Sequence, residues 1–146
     1  MSDRRLRHAP VVIQLRPTEV YKADLLKELR VDRTRIDREL LHQPGKYAWW
    51  ASLSAQVAAT VSELEEKLEH LEAKLSKERR ARGKPIRVGD MKMGFWDSTR
   101  YRKLRAKLRH WEDSARFLEK SERAFQQRAS MLQSFNANMR KEREQS

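Results

Sequence analysis

Hydrophobic residues return with a strict period through the middle of this chain. Trp50, Ser54, Val57, Val61, Leu64, Leu68, Leu71 and Leu75 are spaced 4, 3, 4, 3, 4, 3, 4. That alternation is a heptad seam, and it predicts a helix that pairs along one face in left-handed coiled-coil geometry. Glu63–Lys67 and Lys74–Glu78 stand at i,i+4 on the wet face, a favourable distance for opposite charges. Pro44-Gly45 before the seam and Gly83-Lys-Pro85 after it read as punctuation, so the helix is expected from about Gly45 to Arg82. Its first half is apolar on more than one face, through Tyr47, Ala48, Trp49, Ala51, Leu53, Ala55, Ala58 and Ala59. A helix that is apolar most of the way round needs several neighbours. The N-terminal segment or another subunit is expected to cover it.

A second seam runs through Tyr101, Leu104, Leu108, Trp111, Ala115, Leu118, Glu122, Phe125, Ala129, Leu132, Asn136 and Met139. It predicts a helix capped by Asp97 or Ser98 and lasting to about Glu144. Glu122 and Asn136 are polar intruders, which either fix register at a cost in stability or sit where the seam is wet. Residues 83–98 hold Gly89 and Gly94 and keep no period, so a loop is expected there. Two long helices joined by such a loop pack most simply antiparallel.

Upstream, residues 1–17 read as a flexible basic arm with an apolar patch at Val11, Val12, Ile13 and Leu15. Residues 18–43 read as short helices. Thr18 would cap the first, with Val20, Leu25, Leu26 and Leu29. Asp32 would cap the next, with Ile36, Leu40 and Leu41. The expected fold is therefore all-α. Residues 44–146 form an antiparallel hairpin of two long heptad-patterned helices, with a basic tip loop near 83–98, and hairpins assemble into a homo-oligomer. Core and oligomer contacts are expected from Trp49, Trp50, Val57, Val61, Leu64, Leu68, Leu71, Leu104, Leu108, Trp111 and Leu118.

Composition narrows the chemistry. Four Gly and four Pro in 146 residues leave little turn material for an all-β fold. With no cysteine there is no disulfide or thiolate metal site, which fits a reducing cytoplasm. No run approaches the ~20 apolar residues that span a bilayer, and Val11–Leu15 is too short for a signal-peptide core. His8, His42, His70 and His110 are isolated, without metal-ligand spacing. No phosphate-cradling or dinucleotide glycine motif is present. The acidic run Glu63, Glu65, Glu66, Glu69 and Glu72 lies on a rod with no pocket to shift a pKa. No catalytic residue, metal or cofactor is expected, and an enzyme is not.

Charge is where the chain becomes specific. From Lys74 to His110 there are fourteen Lys and Arg against Glu78, Asp90 and Asp97, an excess of eleven out of a formal net charge of +12. Lys74, Lys77, Arg79, Arg80 and Arg82 close the first long helix. Lys84, Arg87 and Lys92 line the loop. Arg102, Arg105 and Arg109 make one row on the second helix, and Arg100, Lys103 and Lys107 a neighbouring one. Folded as a hairpin, these collect at one end, where repeated exposed charge suits the phosphates of a nucleic acid. The competing reading is a solvated charged face. Phe95 and Trp96 stand in a polar loop where no seam needs them, and either stack on unpaired bases or fold the loop onto the tip. A basic leucine zipper has its basic region before the heptads. Here the order is reversed, which excludes a zipper fork on duplex DNA.

The layout resembles the UvsY family of phage recombination mediators. The similar part begins with Ile36-Asp-Arg-Glu-Leu40 and passes through Pro44 and Tyr47-Ala-Trp-Trp50. A long helix ending in basic residues and Gly83 follows, then a second helix with Arg128-Ala-Ser-Met-Leu132 and Asn138-Met-Arg140. It covers roughly residues 33–142. The resemblance implies a ring-forming homo-oligomer in the host cytoplasm that binds single-stranded DNA. It would load a RecA-like recombinase onto strands covered by single-stranded DNA-binding protein. It also implies DNA contacts near the end of the first long helix, where Lys74 and Lys77 fall, with Arg79, Arg80 and Arg82 following. Arg80 and Arg82 stand where the family has tyrosines. The alternative is a structural or adaptor coiled coil, such as a virion scaffold, whose basic region meets an acidic protein or water.

Overall fold

A computed structural model of the chain describes residues 11–16, 19–83 and 87–145. The order is strand β1 (Val11–Arg16), strand β2 (Glu19–Ala23), helix α1 (Leu25–Leu29), a 3-10 turn (Arg33–Arg35), then helices α2 (Ile36–Ala81), α3 (Val88–Phe95) and α4 (Thr99–Gln145). Most described residues are helical, and the two long helices α2 and α4 pack against each other. The chain divides into two compact units. One takes in the residues up to Gln56 and those from Arg116 onward; the other is Val57–Ala115.

The first unit holds the main departure from the expected all-α fold. β1 and β2 pair antiparallel, with Ile13 opposite Tyr21 and Val11 opposite Ala23. Period-2 alternation explains the pairing: Ile13, Leu15 and Ala23 are buried, whereas Val12 and Val20 on the other face are exposed. Residues 11–16 are thus a strand rather than part of an arm. The helix expected over 19–29 shrinks to α1, because Val20 and Tyr21 favour a pleated, half-buried surface with a partner strand. Asp24 caps α1 by accepting from the Lys27 N–H at 3.1 Å. Asp32 caps the following turn through the Thr34 N–H at 2.9 Å. Thr18 and residues 1–10 lie outside the described residues.

α2 begins at Ile36 and runs straight through Pro44. Proline removes one helical hydrogen bond and crowds the preceding turn, which ordinarily ends a helix. Here the heptad continues upstream of Trp50 as Ile36, Leu40, Gln43 and Tyr47, with Ile36 and Gln43 buried. Tertiary packing of that face outweighs the local penalty. Trp50 is fully buried, stacked on Phe125 at 5.4 Å and 22°, and its Nε1 donates to Glu28 Oε2 at 3.0 Å. The Tyr21 ring on β2 meets Trp49 and Trp50 edge-on at 5.7 and 6.4 Å. Trp49 is not core within one chain: it remains 47% exposed, as Leu41 remains 77% exposed.

The unit's polar centre is Arg128, only 3% exposed. It donates to Glu39 Oε2 and Gln43 Oε1, and at 3.2 Å to the backbone carbonyls of Leu29 and Arg30. Gln43 Nε2 in turn donates to the Phe125 carbonyl at 2.7 Å. Burial pushes the Glu39 carboxyl up. The Arg128 hydrogen bond, the Asp32 N–H and the charges of Arg128 and Lys46 outweigh this and hold it below its ordinary value. The buried polar residues are therefore Gln43, Ser121 and Arg128 rather than Glu122 and Asn136, and on α4 the buried face between Leu118 and Leu132 passes through Ser121 and Arg128, one position before the expected Glu122 and Ala129. Glu122 instead accepts from the Tyr47 hydroxyl at 3.0 Å.

In the second unit the seam is as expected at Val57, Leu64, Leu68, Leu71, Leu108 and Trp111, all buried, while Val61 and Leu104 are half-buried. Burying a leucine this way contributes ~1.5–3 kcal/mol. Leu53 and Leu118 do the same in the first unit.

Candidate nucleic-acid interface

The end of α2 is set by Gly83, whose φ of +80° terminates the helix as a left-handed residue. Between Gly83 and α4 the expected loop contains α3, seated by two side chains. Phe95 is buried and lies 5.6 Å from the Tyr101 ring. Arg79 reaches across from α2, donating to the carbonyls of Asp90 and Met91 at 3.2 and 3.4 Å and lying 3.7 Å from Asp97. Its guanidinium rests where a Gly94 side chain would be. The two glycines that hide a helical period in the sequence are thus compatible with a helix, and Gly94 makes room for the arginine that pins it. Ser98 caps α4, its Oγ accepting from the Tyr101 N–H at 3.3 Å.

Tyr101 organises this end of the unit. Its hydroxyl donates to Glu72 Oε1 at 3.1 Å. Burial first, then that carboxylate, raises its pKa. Trp96 meets the same ring edge-on at 5.3 Å and keeps 45% of its surface exposed. Phe95 therefore packs the tip, whereas Trp96 packs it with one edge and offers the rest to solvent.

The basic residues separate into groups. Lys77, Arg80, Arg82, Arg87, Lys92 and Arg102 are exposed, and Arg105 is half-buried. Arg102 donates to Thr99 Oγ1 at 3.3 Å. Arg79, with 29% of its side chain exposed, is committed to α3 rather than to solvent. Lys84 lies outside the described residues. Lys74, Arg100 and Lys103 come together in a groove of about 510 Å³ between α2 and α4.

That groove has a simple construction. α2 supplies Lys67, His70, Leu71 and Lys74; α4 supplies Arg100, Lys103, Leu104 and Lys107. Each set stands at i, i+3, i+4, i+7, one face of a helix over two turns. The leucines form an apolar floor, and the five cations and one histidine form the walls. No carboxylate is among the lining residues. In the sequence, Lys74, Arg100, Lys103 and Lys107 belong to the basic stretch, whereas Lys67 pairs with Glu63 at i,i+4 and His70 is an isolated histidine. The shared spacing on the two helices was the signal that could have joined them.

Among the described residues no cluster of His, Asp and Glu could hold a metal ion, and no helix is long and apolar enough to cross a membrane. Comparison with family models, with curated proteins and with solved structures yields no match.

Proposed function

We propose that the chain binds single-stranded DNA through the groove between α2 and α4. The observation that carries this is a lining of five cations over Leu71 and Leu104, with no acid among them. Lysine and arginine side chains neutralise phosphates, while an apolar floor accepts the sugar and base faces that a duplex keeps stacked inside. Trp96 adds an exposed ring in the same unit. The function proposed is a recombination mediator, non-enzymatic, that helps load a RecA-like recombinase onto strands covered by single-stranded DNA-binding protein. The mediator role rests on the resemblance of layout; the groove supports only the strand. Self-association is part of the proposal. Leu41 and Trp49 remain exposed, and further copies of the chain would cover them.

Fluorescence anisotropy with a labelled oligothymidine and with a duplex of equal length tests the binding step. The single strand should bind more tightly, with affinity falling steeply as salt rises. Equal binding of both would remove the single-strand reading. No binding of either leaves a wet cationic face, and the scaffold or adaptor reading takes over. For the mediator step, added protein should raise the DNA-dependent ATPase of a RecA-like recombinase on strands covered by single-stranded DNA-binding protein.

A further inference from the structure

A second cluster of positive charge lies in the first unit and has no part in the strand-binding groove. Lys27, Arg30, Arg33 and Lys46 line a cavity of about 580 Å³ together with Val31, Asp32 and Glu39. The volume falls within the ~300–1,000 Å³ typical of small-ligand sites. Four cations face two carboxylates, and both carboxylates already hold donors of their own. Asp32 accepts from the Thr34 N–H at 2.9 Å and the Thr34 hydroxyl at 2.6 Å. Glu39 accepts from Arg128 and from the Asp32 N–H at 3.4 Å.

The cations are less occupied. Lys46 Nζ donates once, to the Glu28 carbonyl at 3.1 Å, and an ammonium has three donors. Arg33 sits 5.0 Å over the Phe135 ring, a contact that leaves its N–H groups free to donate. The side chains of Lys27 and Arg30 form no hydrogen bond or salt bridge among the described residues. The lining thus has an excess of two positive charges and several unused donors.

We propose that this cavity binds a phosphate group, with Lys27 and Arg30 as its principal contacts and Arg33 and Lys46 completing the charge. A phosphate near neutral pH brings close to two negative charges and several acceptor oxygens, and a guanidinium fork matches it bidentately. The group comes either from a free oligophosphate anion or from the backbone of a bound nucleic acid. The carboxylates of Asp32 and Glu39 leave the cavity room for a single phosphate group rather than for a long run of them.

Calorimetry with pyrophosphate, and separately with an oligothymidine lacking terminal phosphates, tests the site on the full chain. Three double variants are compared: K27A/R30A at the cavity, K74A/K103A at the groove, and R140A/K141A on the exposed end of α4 as a charge-matched control. Lys27 and Arg30 are exposed, so the fold should survive their loss. With a free oligophosphate as occupant, K27A/R30A weakens pyrophosphate at least about tenfold, the loss expected for even one of the two charge-assisted contacts removed, and the other variants leave it unchanged. With backbone phosphate as occupant, pyrophosphate does not bind, and K27A/R30A weakens the oligothymidine about tenfold while R140A/K141A does not. The proposal is overturned if K27A/R30A weakens neither probe, or weakens them no more than R140A/K141A. The groove variant judges the strand-binding reading separately, so failure of one leaves the other standing.

Discussion

The guanidinium of Arg79 occupies the space that any side chain at Gly94 would need: a Cβ added there would lie 1.5 Å from Arg79 Nη1 and 1.8 Å from Cζ. The long arginine can swing away, so the consequence of Gly94→Ala is loss of the Arg79 contacts rather than collapse. Alanine favours a helix over glycine by ~0.5–1 kcal/mol, which offsets much of the loss of two long, partly exposed hydrogen bonds to the Asp90 and Met91 carbonyls, each at the weak end of ~0.5–1.5 kcal/mol. G94A alone should therefore change stability little. The informative measurement is a double-mutant cycle by urea unfolding: Arg79→Ala destabilises the parent chain and has almost no effect in the G94A background. Additive effects would mean that Arg79 does not hold α3.

Arg128→Ala removes the cation on which Glu39, Gln43 and the carbonyls of Leu29 and Arg30 converge. Breaking one side of a buried ion pair costs ~3–5 kcal/mol. Urea unfolding should show a loss of that order, and Glu39→Gln should show a smaller one. A loss under ~1 kcal/mol for R128A, the scale of an exposed pair, would place the residue in water.

Acid should act through the same contact. Glu39 is held below its ordinary value near 4.5, so the unfolded chain takes up its proton first as pH falls. Its contribution is complete above the ordinary carboxylate range and is lost as pH drops through the folded-state value. Melting temperature followed from pH 7 down to 3 should fall less in Glu39→Gln than in the parent. Parallel curves would show that Glu39 gains nothing from Arg128.

The groove makes a quantitative claim about salt. For single strands the log–log slope of affinity on salt is about −0.7 per neutralised phosphate. Lys74→Ala with Lys103→Ala should flatten that slope by about 1.4 and weaken binding at low salt. Trp96→Ala should weaken binding with the slope intact, since stacking releases no counterions. A wild-type slope in the double variant would remove the groove from the interface.

Exposed Leu41 and Trp49 bear on assembly. Light scattering of the parent chain at micromolar concentration should report a species well above a dimer, and Leu41→Glu with Trp49→Glu should reduce it. A parent chain that is already monomeric would end the assembly proposal.

The seams were legible because period is a sequence property: Leu64, Leu68, Leu108, Trp111 and Leu118 are buried where the heptads put them. What escaped was long-range or local-against-local. β1 needs β2 to exist, and neither Val11–Arg16 nor Glu19–Ala23 announces its partner. Pro44 and Gly94 signal breaks that packing overrides, the first through Ile36 and Gln43, the second through Arg79. Arg128 stands in the sequence only as the first residue of Arg128-Ala-Ser-Met-Leu132, and nothing there points to Glu39, 89 positions away, against which it folds. At the basic end, composition located the charge but could not sort it. Lys74, Arg100 and Lys103 share a groove, whereas Arg79 is spent on α3.

The two walls of that groove run in opposite directions, as the Glu72–Tyr101 and Arg79–Asp97 contacts require. Rotating one wall by half a turn lays Lys67 on Arg100, His70 on Lys103, Leu71 on Leu104 and Lys74 on Lys107. The groove is therefore close to a palindrome in chemistry: cation, basic residue, leucine, cation from either end. A strand laid along it meets the same succession whether its 5′ or its 3′ end enters first. Any polarity of a strand lying there would have to be set outside this groove, because the groove itself has almost no arrow in it: Arg100 for Lys67 and Lys103 for His70 are the only changes of residue type under that rotation.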